Sequence, residues 1–330
     1  MKTPVKSLVL LLALIIPLPA ARAALQQWPI HYGINYIGAH VVSAPHCSAA
    51  VLAVSGADIT FDPVGWVGVA PVLAAGGEFT VEHPTSGYWD IVLSCAGKTV
   101  TLSSNWPYGT AAADKPIIRR VKTLNQLFGS QPKAGTGGTM INSQTAGPPG
   151  TADRIWVPDG TGNGYNFYFR NTAGAWRKLG ASGIYQGSAP IYFVQGMIYE
   201  RVAPPSFTLT FSGQPVPSPK QVFLGDASSS RSMLTSLMGI DLVSSLYGLT
   251  PPAARTLGTC GLFPIVWPFD DMIVIQETIP SLNLLYCVSD GIDWWDATGF
   301  TTTTANNWLL SAGFLRYSLN PFVPTVATLQ

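Results

Sequence analysis

The stretch Tyr165-Asn-Phe-Tyr-Phe-Arg170 decides the fold class. Tyr165, Phe167 and Phe169 alternate with Asn166, Tyr168 and Arg170, and a period of two suits a strand with one covered face, not a helix. The same alternation recurs outward in both directions. Phe207, Leu209 and Phe211 alternate with Thr208 and Thr210, and Phe79 and Val81 alternate with Thr80 and Glu82. Pro158-Asp159-Gly160, Gly162-Asn163-Gly164 and Ser289-Asp290-Gly291 supply turns between the runs. Short strands with regular turns predict an all-β protein built of sandwich or barrel-like modules. Helix is sparse: only residues 123–128, with Thr123 as N-cap, and residues 229–237 read as short helices.

The order of landmarks predicts an internal duplication. Leu124-Asn-Gln-Leu127-Phe128-Gly129 matches Val243-Ser-Ser-Leu246-Tyr247-Gly248 at an offset of 119, each followed by a proline, Pro132 and Pro251. Asp153-Arg-Ile155-Trp-Val157 matches Asp271-Met-Ile273-Val-Ile275 at 118, as does Trp176 with Trp294. Gly196-Met197-Ile198 then meets Gly313-Phe314-Leu315 at 117. Four landmarks in one order, drifting by so little, are read as one module present twice, with residues 113–203 superposing on 232–318. The expected division is a signal peptide at 1–23, an N-terminal β domain at 24–111, a first repeat copy at 112–215 and a second at 216–330. Within the first copy, residues 129–151 are Gly, Pro, Ser, Thr and Ala with little to bury, which predicts a long loop.

The N-terminus predicts export. Lys2 and Lys6 precede an unbroken apolar run from Leu8 to Ile16, and Ala21-Arg22-Ala23 supplies a small-residue cleavage site. That run is too short to span a bilayer core of about 30 Å, and no later stretch reaches the ~20 apolar residues a transmembrane helix needs. A secreted or cell-surface location is expected, with the periplasm as the other compartment. Removing Lys2, Lys6 and Arg22 from the 18 basic residues leaves 15 against 17 acidic ones, a balance that argues against a nucleic-acid partner. Charged residues make up 11% of the chain, where about 25% is usual, and so sparse a surface charge favours association.

The four cysteines, Cys47, Cys95, Cys260 and Cys287, can pair in three ways. Export permits oxidation, and local pairing, Cys47 with Cys95 and Cys260 with Cys287, is the simplest option.

The series Lys122-Thr-Leu-Asn-Gln-Leu-Phe-Gly129, Ala152-Asp-Arg-Ile-Trp-Val157, Tyr165 to Arg170, Ala175-Trp-Arg177, the Gly196-Met-Ile turn and Ser206-Phe-Thr-Leu-Thr-Phe-Ser-Gly213 resembles an uncharacterised family of secreted bacterial β-rich proteins associated with Verrucomicrobia-like organisms. Gly77-Glu-Phe-Thr-Val-Glu82 and Val100-Thr-Leu102 extend the resemblance over most of the chain, while the serine-rich stretch from Gly225 to Ser232 departs from it. The family implies export and a β-rich fold; it brings no activity, cofactor or catalytic residue.

No constellation in the sequence carries chemistry. Gly225-Asp226-Ala227-Ser228 places its serine one residue late for a Gly-Asp-Ser nucleophile block, and a triad also needs a histidine base. His31, His40, His46 and His83 all lie in the first third. With Cys47 they form the only candidate metal cluster, and the sole tight spacing is His46-Cys47, so no metal is expected. Asp290, Asp293 and Asp296 lack the alternating ligands and closing Glu of a calcium loop. Gly160-Thr-Gly162-Asn-Gly164 reads as a hairpin turn and not a phosphate loop. Trp176 and Trp294, matched between the copies, are expected in the core. Tyr165, Trp295 and Trp308 have no matched aromatic and are the candidate ligand-binding residues, as a stacking platform for sugar rings. The reading that follows is a non-enzymatic exported structural or surface protein, without cofactor, that binds itself or a cell-surface polymer. A glycan-binding adhesin is the alternative, and a secreted hydrolase the least supported.

Overall fold

The computed structural model describes residues 24–39, 41–69, 76–110, 115–129, 145–159, 165–193 and 196–215, and beyond these only the strand segments of the last third, together with Asp293 and Ala297. The chain opens with β1 (Ala24–Ile30), β2 (Gly33–Gly38) and β3 (Val41–Val42). Then come β4 (Pro45–Ser48), β5 (Val51–Ser55), β6 (Asp58–Phe61), β7 (Phe79–Glu82), β8 (Trp89–Ala96), β9 (Thr99–Leu102) and β10 (Ile117–Arg120). After β11 (Lys122–Thr123) and helix α1 (Leu124–Phe128) lie β12 (Arg154–Pro158), β13 (Tyr165–Arg170), β14 (Trp176–Lys178), β15 (Pro190–Ile191), β16 (Gly196–Arg201) and β17 (Phe207–Pro215). The last third holds β18 (Lys220–Leu224), β19 (Arg231–Thr235), β20 (Asp271–Gln276), β21 (Leu284–Ser289), β22 (Trp294–Asp296), β23 (Gly313–Ser318) and β24 (Thr325–Leu329).

The all-β expectation stands. A seven-stranded antiparallel sheet runs β4-β10-β7-β8-β9-β6-β5, and a five-stranded one runs β14-β13-β12-β16-β2. β17 lies between β1 and β3, and β18 pairs with β24. The last third forms a second five-stranded sheet, β19-β23-β20-β21-β22. Pairing crosses the boundary expected at residue 111. β2 joins β16, with Asn35 opposite Tyr199, and β1 joins β17, with Trp28 opposite Leu209, while residues 45–120 supply the seven-stranded sheet. Trp176 and Trp294 each begin the outermost strand of a five-stranded sheet.

Helix α1 forms as its sequence dictates. The Thr123 hydroxyl accepts from the Gln126 amide, and the Gln126 side chain accepts from the Thr123 amide, a reciprocal capping box. Gly129 ends the helix at φ 94°, a conformation that a side-chain-bearing residue rarely adopts. Leu124, Leu127 and Phe128 are buried in one core with Trp28, Ile30, Ile37, Ile155, Tyr168, Trp176, Tyr199, Leu209 and Phe211. The second expected helix, residues 229–237, is a correction: Arg231–Thr235 is strand β19, paired with β23. Sheet pairing overrides a weak local preference there, because the ladder with β23 runs along the whole of Arg231–Thr235.

The face assignment of β13 also needs correction. Tyr168 and Arg170, expected on the solvent side, are buried, whereas Tyr165 and Phe167 are half-buried. Only the second half of the strand, Tyr168 to Arg170, is buried on both faces, so the apolar alternation did not reveal which side holds the core. β7 behaves likewise, with Phe79, Thr80, Val81 and Glu82 all buried. In β17 the reading holds: Leu209 and Phe211 are buried and Thr208 is exposed.

Buried polar groups tie these layers together. Asp153 accepts from the Tyr199 hydroxyl at 2.8 Å, Arg201 at 2.5 Å and the Val202 amide at 3.0 Å. Replacing Asp153 by Ala leaves Arg201, 3% exposed, as an uncompensated buried cation. Denaturant unfolding is expected to show a loss of about 3–5 kcal/mol.

Candidate functional site

On β12, Trp156 sits opposite Phe167 of β13 and Ile198 of β16, and Pro158 opposite Tyr165. Directly opposed residues share a sheet face, so Trp156, Phe167 and Tyr165 form one row on the side away from the α1 core. The ring centroids lie 4.9 Å from Trp156 to Phe167 and 6.1 Å from Trp156 to Tyr165, both at 61°. The Trp156 indole donates to Glu200 Oε2 at 2.9 Å, and Arg154 pairs with the other carboxylate oxygen. Aromatic faces bordered by a carboxylate and a guanidinium can stack on a sugar ring and hydrogen-bond its hydroxyls.

Of the residues expected at a ligand site, Tyr165 lies in this row. Trp295 is half-buried on β22, opposite Val288, in the other five-stranded sheet. Trp308 lies outside the described residues. The structure therefore does not bring the expected three together, and Trp156, Phe167 and Glu200 are the neighbours that sequence reading missed. Trp156 was legible only as part of a repeat landmark; its pairing with Glu200, 44 residues on, depends on the ladder between β12 and β16.

The histidines occupy separate places. His31 belongs to the turn between β1 and β2, where its backbone amide donates to Asn35 Oδ1 at 2.9 Å. The His46 ring hydrogen-bonds the Gly68 carbonyl at 3.0 Å. His83 stacks on Tyr108, 3.9 Å between centroids at 18°, and accepts from the Ser86 amide. His40 and Ser228 lie outside the described residues. Among the described residues no three His, Cys, Asp or Glu side chains converge to hold a metal ion. Asp290 is likewise outside them, and Asp293 and Asp296 flank the two tryptophans of β22.

The expected Cys47–Cys95 bridge is absent: both residues are free thiols. They stand on β4 and β8, with β10 and β7 between them in the sheet order; Cys47 belongs to the core of the seven-stranded sheet and Cys95 packs against it. Burial raises both thiols above their ordinary value. Cys287 lies on β21, and its expected partner Cys260 lies outside the described residues.

A second feature is the outer strand of the seven-stranded sheet. β5, Val51-Leu-Ala-Val-Ser55, pairs with β6 on one side only among the described residues, and it carries no charge. Leu52 is 52% exposed, and Leu93, Val64 and Val67 of the same sheet and its loops are also exposed. An uncharged apolar edge with free backbone groups is a template for another strand. Towards the other end, β10, between β4 and β7, ties the sheet to the rest of the fold. Arg119 meets Glu82 at 3.0 Å, the Ser43 carbonyl at 2.9 Å and the Gln214 side chain at 3.2 Å.

No family model, curated protein or solved structure matches the chain, and none bears on the resemblance to secreted Verrucomicrobia-associated proteins.

Tyr192 adds to the same seam. Its hydroxyl donates to the Gly77 carbonyl at 3.2 Å, and burial, with the Glu78 carboxylate nearby, pushes its pKa up to about 12. The folded state thus holds this proton more tightly than the unfolded chain, whose tyrosines ionise near 10. Tyr192 therefore stabilises the fold fully below pH 10, and that contribution is lost as pH rises toward 12. Denaturant midpoints measured across this window should fall for the native chain and fall less for Tyr192→Phe.

Proposed function

We propose that the chain is a non-enzymatic exported structural or cell-surface protein that associates with copies of itself. The observation that carries this reading is the β5 edge: five uncharged residues, apolar but for Ser55, with Leu52 exposed and one side of the strand unpaired among the described residues. Edges that proteins keep to themselves are commonly protected by lysine, proline or an inward charge, and β5 has none of these, its one irregularity being a register shift between Val51 and Ala53. The low charge density of the whole chain leaves little repulsion to oppose association. Export is supported by the apolar N-terminal run and the small-residue cleavage site that follows it. No helix among the described residues is long and apolar enough to cross a membrane.

The glycan-binding reading rests on the Trp156, Tyr165 and Phe167 row with Glu200 and Arg154 beside it. The rings meet at 61° instead of lying coplanar, so the row offers no continuous flat platform. This is why association takes precedence.

Light scattering of the exported chain over a range of concentrations and salt separates the two. Self-association is expected to give masses above the monomer, and the single substitution Leu52→Lys, at the exposed apolar side chain of β5, is expected to return the protein to the monomer with an unchanged thermal midpoint. A strictly monomeric native protein that binds on a glycan array, and loses that binding in Trp156→Ala, overturns the structural reading.

A further inference from the structure

The two five-stranded sheets agree strand by strand and residue by residue. Reading each from its outermost tryptophan strand gives β14-β13-β12-β16-β2 and β22-β21-β20-β23-β19. The opposed pairs correspond throughout. Phe169 opposite Arg177 matches Val288 opposite Trp295. Ile155 opposite Tyr168 and Tyr199 matches Ile273 opposite Cys287 and Arg316. Asn35 opposite Tyr199 matches Ser232 opposite Arg316. Outside the sheets, Ile30 opposite Phe207 in β1–β17 matches Leu224 opposite Thr325 in β18–β24. A slip of one residue in the ladders of β12 with β13 and β16, or of β13 with β14, would turn a strand over and break the match.

The spacing locates what differs. In the first set, 115 residues separate β2 from β12; in the second, 35 separate β19 from β20. The excess of 80 is close to the 76 residues from Pro45 to Arg120 that form the seven-stranded sheet. The packing between the sets is reciprocal: β16 lies against β19, and β2 lies against β23. Since β2 corresponds to β19 and β16 to β23, exchanging the two sets turns each contact into the other, which is the property of an isologous dimer interface.

We infer that this chain is an internal dimer of one seven-strand unit, residues 24–215 and 220–329, related by a pseudo-two-fold axis, with the seven-stranded sheet inserted after the second strand of the first unit only. This differs from a series of three modules: the first unit starts at β1, is interrupted, and resumes at β11. The inserted sheet is what the second unit lacks, and it bears the β5 edge. Association through that edge then belongs to the insertion, while the paired units form the scaffold that displays it. The inference does not depend on the self-association reading, because it concerns contacts within one chain.

The test uses the full chain with a photoreactive residue, p-benzoylphenylalanine, placed at Tyr36 of β2 or, in a second protein, at Met233 of β19, which is the corresponding position. Irradiation at high dilution, followed by peptide mapping of the monomer band, reads which strand each position touches. The inference expects Tyr36 to capture peptides from residues 313–318 and Met233 to capture peptides from residues 196–201, with both products lost in denaturant. Where the Met233 protein fails to fold, the reverse pair serves: Ile198 should capture residues 231–235, and Leu315 should capture residues 33–38. Capture in one direction without its counterpart, or capture of neither strand by folded protein, overturns the internal dimer. Chain-to-chain products alone would do the same, since the contact would then lie between molecules.

Discussion

The structure depends on one constraint: the first two strands of the chain find their partners only near residue 200. β1 and β2 are complete when β17 and β16 lie beside them, and Ile30, Trp28 and Ile37 enter the same core as Leu209, Phe211 and Tyr199. Everything between residues 41 and 195 is thereby held in a closed loop. The entropy of closing so long a loop grows only slowly with length, so the loop can carry an entire additional sheet at modest cost. A polar connection fixes the junction. Asn35, 3% exposed, donates to the carbonyls of His31, Gly33 and Tyr199 and accepts from the His31 amide. An apolar residue there would leave the Tyr199 carbonyl without this buried partner, at about 1–3 kcal/mol for a group left unsatisfied.

The same logic governs the seam between the closed loop and the scaffold. Thr80 and Glu82 are buried although their alternation with Phe79 and Val81 looks like a solvent face, because β7 is covered on both sides. Glu82 meets Arg119, and Arg119 reaches Ser43 and Gln214, so one guanidinium contacts the seven-stranded sheet, the chain entering it and β17. Buried ion pairs add little net stability, but an arrangement with this many fixed partners specifies one relative placement of the sheets.

The strands and the capped helix α1 were legible in the sequence because period-two alternation and the Thr123–Gln126 capping box are local signals. The repeat landmarks led to the expectation that Trp176 and Trp294 match, and each begins the outermost strand of a five-stranded sheet. What escaped was non-local. The participation of β1 and β2 in the sheet of residues 154–201 has no signature within residues 24–38 themselves. The strand at Arg231–Thr235 was hidden in a serine-rich segment whose sheet partner, Gly313–Ser318, lies far along the chain. The candidate site was legible only in Tyr165. Trp156 and Glu200 come together through the register of β12 with β16, which no spacing rule encodes.

The central claim is that residues 24–38 and 196–215 form one scaffold around an inserted sheet, and native-state hydrogen exchange tests it most directly. The amides of residues 33–38 and 196–201 should open together, with one free energy and one denaturant dependence. The amides of residues 79–82 and 99–102 should open as a separate unit, whose stability falls on Ile118→Ala while that of the scaffold is unchanged. If residues 33–38 instead exchange in step with residues 79–102 and independently of residues 196–201, the first two strands belong to the seven-stranded sheet and the account is contradicted.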